Sequence, residues 1–232
     1  MLYNPLFQNR EAAGEELAQV IRTQLNKQAV ESGLKPIPIV YALPRGGLPV
    51  AFPVARLLDC PLKIEVAKKI SHPQNEELAI GAVTASGSVI WSDNRIFRFK
   101  FYSREKRQAS LNAAMDCAKS LESILSPACP QVKVEGATII LVDDGIATGM
   151  TIAAAASALR KLNPAQIWLC TPVAPPKLIP WLHKWGEKAI VLATPKSFLS
   201  VSNFYVEFPQ VETQEALKYL QQQSVFMLKD EL

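Results

Sequence analysis

Short apolar runs alternate along the chain with longer segments whose apolar residues recur every three to four positions. In residues 10–32, Leu17, Val20, Ile21 and Leu25 fall on one helical face, and Gly33 closes the helix. Residues 37–43 form an apolar run that predicts a strand, followed by the loop Pro44-Arg45-Gly46-Gly47. Pro49 suits the first turn of a helix reaching about Leu58. A second strand is expected over 62–67 and a polar loop over 68–77. Residues 78–83 and 88–91 predict a hairpin around Ala85-Ser86-Gly87. A long helix is expected over 103–125, with Leu111, Ala114, Met115, Ala118 and Leu121 on one face and Pro127 and Pro130 beyond its end.

The second half repeats the alternation. A strand at 138–142 precedes a helix reaching about Leu162, and another strand spans 166–173. A turn with Pro172, Pro175 and Pro176 leads to a short helix carrying Leu178, Ile179, Leu182 and Trp185. A short strand at 189–193 and a terminal helix at 213–223 complete the pattern. Strands alternating with helices predict an α/β fold with a mainly parallel central sheet. In such sheets ligands sit beyond the carboxyl ends of the strands. The loops at 44–47, 68–77, 143–151 and 171–176 all follow expected strands, so they point to one site.

Composition narrows the class. With 232 residues and 49% apolar content, the chain is expected to be one domain with a sizeable core. Its 20% charged residues are too few for a disordered protein, and a net charge of +4 suits an anionic ligand. Cys60, Cys117, Cys129 and Cys170 form no CxxC, and His72 and His183 have no ligand spacing, so neither a zinc site nor a redox pair is expected. No apolar run approaches the ~18 residues that span a bilayer. The final Lys229-Asp230-Glu231-Leu232 spells an ER-retention signal, which is read only in a chain that has entered that lumen. The opening residues turn polar within ten positions and carry no signal peptide, so a cytoplasmic location is expected.

The densest chemistry lies in TIILVDDGIATGMT, residues 138–151. An apolar strand ends in the adjacent carboxylates Asp143 and Asp144, and a loop of small residues with Thr148 and Thr151 leads into an Ala-rich helix. The N–H groups of a helix start can hold a phosphate, and the paired carboxylates can accept from neighbouring hydroxyls or hold Mg²⁺ through water. Two glycines after the first strand allow close approach to an anion, and Arg45 adds a fork of donors suited to phosphate oxygens.

VDDGIATGMT resembles the phosphoribosyl-pyrophosphate (PRPP) signature of type I phosphoribosyltransferases. PRGGLPVA, KK, ELAIGAV, ATPKSF and NFYVEFPQV extend the likeness, over about residues 10–220, to a bacterial group of uncharacterised phosphoribosyltransferase-domain proteins. The resemblance implies one domain over 1–232, with a core at about 35–175. It also implies a small hood from 171–210 and the N-terminal helix, with a C-terminal helix at 213–223. It places the ribose hydroxyls on Asp143 and Asp144, and the 5-phosphate on Ala147, Thr148, Gly149, Met150 and Thr151, with Gly145 and Ile146 also counted as substrate-binding. Pyrophosphate falls to Arg45, Gly46 and Gly47, with Lys68 and Lys69 beside it. The implied catalytic set is Asp143, Asp144, Arg45 and Lys69. The implied cofactor is Mg²⁺ near Asp143 and Asp144, and the partners are PRPP and a base or amine, in a homodimer. Phe198 in the hood is the expected platform for a flat base.

Enzymes of this family that act on 6-oxopurines carry an acid where this chain has Ala147, which cannot move a proton. Hypoxanthine and guanine are therefore disfavoured as acceptors, whereas the uracil, adenine and orotate enzymes also lack that acid. The alternative is a PRPP-binding regulator without transfer activity. One N-terminal helix is too little for a helix-turn-helix unit, and nucleic acid is not the expected partner. An RNA-binding regulator could use the basic cluster Arg98, Lys100, Arg104, Lys106 and Arg107, which otherwise reads as a solvated loop.

Overall fold

The structure, a computed structural model, describes residues 5–92 and 104–227. In chain order the elements are α1 (Arg10–Ser32), β1 (Pro38–Ala42), α2 (Gly47–Leu58), β2 (Leu62–Ile64), β3 (Ala67–His72), β4 (Asn75–Thr84), β5 (Val89–Trp91), α3 (Arg104–Leu125), β6 (Thr138–Val142), α4 (Met150–Arg160), β7 (Gln166–Val173), α5 (Ile179–Trp185), β8 (Lys188–Ala193) and α6 (Thr213–Met227). Short 3-10 turns at Ser126–Ala128, Pro176–Leu178 and Val201–Phe204 join them. The Asn9 side chain caps α1 by accepting from the Ala12 N–H at 2.9 Å.

Five strands form a parallel sheet in the order β2-β1-β6-β7-β8. Val142 lies beside Ala42 on one side and Cys170 on the other, so β1 and β6 end level while β7 continues to Val173. Side chains alternate across this sheet. Val40, Ala42, Ile140, Val142 and Trp168 join Leu17 and Ile21 of α1, Leu48 and Val54 of α2 and Leu220 of α6 in one core. Ile39, Tyr41, Ile139, Leu141, Ile167 and Leu169 join Ile152 and Leu159 of α4 and Leu182 of α5 in the other. Both faces are covered, and for that reason these strands read as unbroken apolar runs.

The region after β2 differs from the sequence expectation. The strand expected at 62–67 ends at Ile64, and most of the polar loop expected at 68–77 is two strands, β3 and β4. With β5 they form a separate antiparallel sheet in the order β3-β4-β5. Lys68 pairs with Val83, Lys69 with Ala82 and Ile70 with Gly81. The polar strand is held by the apolar ladder of its neighbour, and an antiparallel sheet tolerates one wet face. Ile70, Ile80 and Val83 supply its dry face, covered by Leu111, Ala114 and Met115 of α3.

The segment before α1 pairs with the segment before α6. Phe7 donates its N–H to the Phe204 carbonyl at 3.0 Å, and Val206 and Glu207 donate to the Phe7 and Gln8 carbonyls at 2.9 Å. Phe7, Phe204 and Tyr205 are buried together there. Among the described residues no helix is long and apolar enough to cross a membrane.

Candidate active site

The level ends of β1 and β6 bring two loops side by side. Leu43 donates its N–H to the Val142 carbonyl at 2.9 Å, which ties the 44–46 turn to the start of the acidic pair. The Pro44–Arg45 peptide bond is cis. Asp143 donates its N–H to Cys170 of β7 at 3.2 Å, and its Oδ1 accepts from the Asp144 N–H at 3.0 Å. The chain then crosses Gly145 to Gly149, whose φ of 77° places the first turn of α4 in line with the loop. A Cβ at Gly149 would lie 2.7 Å from the Trp185 ring, so position and conformation both call for glycine.

These loops border a cavity of about 340 Å³, lined among others by Arg10, Arg45, Lys68, Asp143, Asp144 and Thr151. A second cavity of about 640 Å³ adjoins it through Ala67, Lys68 and Thr151 and runs between β3 and α3, past Lys69, Ser71, Ser110 and Cys117. Among the described residues there is no cluster of three or more His, Cys, Asp or Glu able to cage a metal.

The electrostatics of the first cavity are unbalanced without a ligand. Burial and the charge of Asp144 lift the Asp143 carboxyl well above the usual carboxylate range. Burial lifts Asp144 too, and the Arg10 guanidinium opposes that rise. Burial and then Arg45 lower the Lys68 ammonium. Arg45 Nη1 donates to Thr213 Oγ1 at 3.3 Å and lies 3.6 Å from Glu212 Oε2, both at the start of α6.

Of the residues singled out by sequence, Arg45, Gly46, Lys68, Asp143, Asp144 and Thr151 meet at the first cavity. Gly47 is buried as the first residue of α2, and Met150 opens α4. Ala147 and Thr148 are exposed on the loop, and Gly145 lies against Val201. Lys69 is exposed and lines only the second cavity, although its charge is felt by Asp143. Ile146 is turned into the core at 2% exposure, and its N–H donates to the Val173 carbonyl, so it offers the cavity no side chain. Phe198 is not at either cavity: its ring packs on Phe204, with centroids 5.0 Å apart. Of residues 171–176, expected to form part of the hood over the acceptor, 171–175 are buried within the fold and Pro176 is exposed. Of the basic cluster, Arg98 and Lys100 lie outside the described residues, while Arg107 stacks on Trp91 at 3.6 Å.

Sequence reasoning missed Arg10, Tyr205 and Gln210. Arg10 is buried, and its Nε donates to Asp144 Oδ2 at 2.7 Å. The Tyr205 hydroxyl donates to the Asp144 carbonyl at 2.6 Å, and Gln210 lines the cavity. The one available signal was Arg10 itself: a cation in the first turn of a helix opposes the helix dipole, so another group must hold it.

The family model for the phosphoribosyl transferase domain matches residues 7–185. Two Mycobacterium tuberculosis proteins, each named "Putative phosphoribosyl transferase" (MT0597 and Rv0571c), are 32% identical over 224 residues, which is 93% of this chain. The chain spans about half the length of these relatives, 46%. The crystal structure of TT1426 from Thermus thermophilus superposes with a TM-score of 0.69 at 27% identity, covering 93% of this chain and 98% of that one. The matched region contains both loops and the acidic pair between them, and on that match the chain belongs to the phosphoribosyl transferase domain family.

Proposed function

We propose that this chain transfers the ribose-5-phosphate unit of PRPP to a nitrogenous base or amine and releases pyrophosphate, with Mg²⁺ as cofactor. The observation that carries this reading is the convergence on one cavity of two carboxylates, Asp143 and Asp144, two cations, Arg45 and Lys68, and Thr151 at the start of α4. A helix start and a cation pair at one cavity suit a sugar that carries both a phosphate and a pyrophosphate. The carboxylates at the same cavity suit vicinal hydroxyls.

On this reading the 5-phosphate lies on the backbone of 147–151, with the Thr148 and Thr151 hydroxyls. Arg45 and Lys68 face the pyrophosphate, with Lys69 behind them. The C1–O bond to pyrophosphate breaks and its electron pair leaves with the pyrophosphate. A C1–N bond forms, and the attacking nitrogen gives up its proton. Asp143 and Asp144 orient the ribose and stabilise positive charge that develops on its ring, while Arg45 and Lys68 stabilise the leaving group. The hard oxygens of Asp143 and Asp144 fit Mg²⁺ and would hold it through water. When bound, Mg²⁺ neutralises pyrophosphate charge. Ala147 provides no proton acceptor, so hypoxanthine and guanine are expected to be poor acceptors.

Calorimetric titration with PRPP and Mg²⁺ tests the site. Asp143→Asn and Asp144→Asn should each lose a charge-assisted hydrogen bond of about 1.5–3 kcal/mol, roughly ten- to a hundred-fold in affinity. Unchanged affinity in both folded variants overturns the assignment. Pyrophosphate release across a panel of bases and amines then identifies the acceptor.

A further inference from the structure

We propose that Arg10 is a positioning residue of this site, fixing the Asp144 carboxylate as the acceptor for one ribose hydroxyl. The inference rests on the phosphoribosyl-transfer reading above and adds to it a residue from the opposite end of the chain.

The guanidinium is held in three ways. Nε donates to Asp144 Oδ2 at 2.7 Å, and Nη1 donates to the Pro209 carbonyl at 2.7 Å. The Phe208 ring covers one face, its centre 3.5 Å from the guanidinium carbon. Arg10 is only 8% exposed, so water competes little for these donors. A planar cation anchored on two edges and one face cannot swing, and its Nε–H defines a single direction for the carboxylate. Tyr205 fixes the same residue from the other side, through the Asp144 backbone carbonyl.

The two carboxylates are therefore unequal. Asp143 is braced from within its own loop, by the Asp144 N–H. Asp144 is braced from outside it, by Arg10 and Tyr205. Pairing with one guanidinium N–H does not exhaust a carboxylate, which has about four acceptor directions. The remaining ones stay available to a hydroxyl, in an orientation that Arg10 sets.

A tether predicts something different. If Arg10 only ties residues 208–209 to the core, its loss weakens every ligand alike. If it aims Asp144, its loss is felt through one hydroxyl.

The test titrates ribose-5-phosphate and its 2-deoxy and 3-deoxy analogues against the wild type, Arg10→Gln, Arg10→Lys, Asp144→Asn and Tyr205→Phe. In the wild type each missing hydroxyl should weaken binding about ten-fold. Asp144→Asn identifies the hydroxyl that Asp144 reads, because the penalty for that analogue alone disappears. Arg10→Gln should erase the same penalty and leave the other. Arg10→Lys should restore only part of it, because an ammonium lacks the fixed Nε direction. Tyr205→Phe loosens the same segment without touching the carboxylate and should keep both penalties. Equal weakening of all three sugars by Arg10→Gln overturns the proposal. If Arg10→Gln does not fold, Arg10→Lys decides alone: a full penalty at the hydroxyl read by Asp144 overturns it. A wild type that binds none of the sugars overturns instead the phosphoribosyl-transfer reading on which the inference stands.

Discussion

Gly46 and Asp144 lie so close that a Cβ at position 46 would overlap the Asp144 carboxylate. The backbone at Gly46 has φ −61°, which any residue can adopt, so space alone selects glycine here. Gly46→Ala should displace the carboxylate from Arg10 and cost about 1–3 kcal/mol of stability by overpacking. PRPP affinity should fall with it, by roughly ten-fold for one lost charged hydrogen bond. A thermal melt and a PRPP titration on the same sample check both. A destabilised variant with wild-type affinity would mean that this carboxylate is not a ligand group.

Arg45 should act on the pyrophosphate end alone. Arg45→Ala should weaken binding of pyrophosphate by about ten- to a hundred-fold, the value of a charge-assisted hydrogen bond. Ribose-5-phosphate, anchored on 147–151, should bind almost as before. Competition titrations with the two ligands read the difference, and equal weakening of both would count against separate anion sites.

Lys68 makes the same half of the site sensitive to alkali. Burial and Arg45 lower its proton affinity in the free protein. An anion needs the protonated ammonium, so pyrophosphate affinity should be full at pH below that lowered value. It should fall as pH rises through the lowered value, starting below the range of an ordinary lysine. Lys68→Met should be weaker throughout and lack that alkaline fall. A wild-type affinity that stays flat up to the ordinary lysine range would refute the lysine's part.

Glu65 gives a pH dependence of stability away from the site. Burial, and then the charge of Glu122, raise its carboxyl to about 8, and its Oε1 is buried without a hydrogen-bond partner among the described residues. Between the ordinary carboxylate value and that raised one, the folded chain binds more protons at this group than the unfolded chain. Stability contributed here is therefore full below the ordinary carboxylate value and is lost progressively as pH rises to about 8. Glu65→Gln should melt near the wild type at pH 5 and above it at pH 9, by about 2–4 kcal/mol. Parallel melting curves over that range would show that the carboxyl titrates normally.

The parts that were legible in the sequence share one property: they are local. Asp143, Asp144 and Thr151 sit in one strand–loop–helix segment, so spacing alone implied their arrangement. Strands covered on both faces, such as β6, were legible because their apolar residues are consecutive, here Ile139 to Val142. The hairpin strand β3 was not, because Lys68, Lys69 and Ser71 take their strand character from the partner β4. Arg10 and Tyr205 were not legible because they reach Asp144 from 134 and 61 positions away. Phe198 was assigned to a ligand from its aromatic character, but that character is used in packing on Phe204.

The pairing of the segments before α1 and α6 has a consequence for biosynthesis. Arg10 emerges from the ribosome early, yet its carbonyl partner at Pro209 is 199 positions downstream. At roughly 5–20 residues per second, that interval is on the order of 10–40 s. During it the acidic pair can form at the ends of β1 and β6, but the clamp on Asp144 cannot close. A nascent chain stalled before Tyr205 would carry the whole VDDGIATGMT loop and Arg10 itself, but not the Phe208 ring and Pro209 carbonyl that hold the guanidinium, so the direction it gives the Asp144 carboxylate would be the last part of the site to be set.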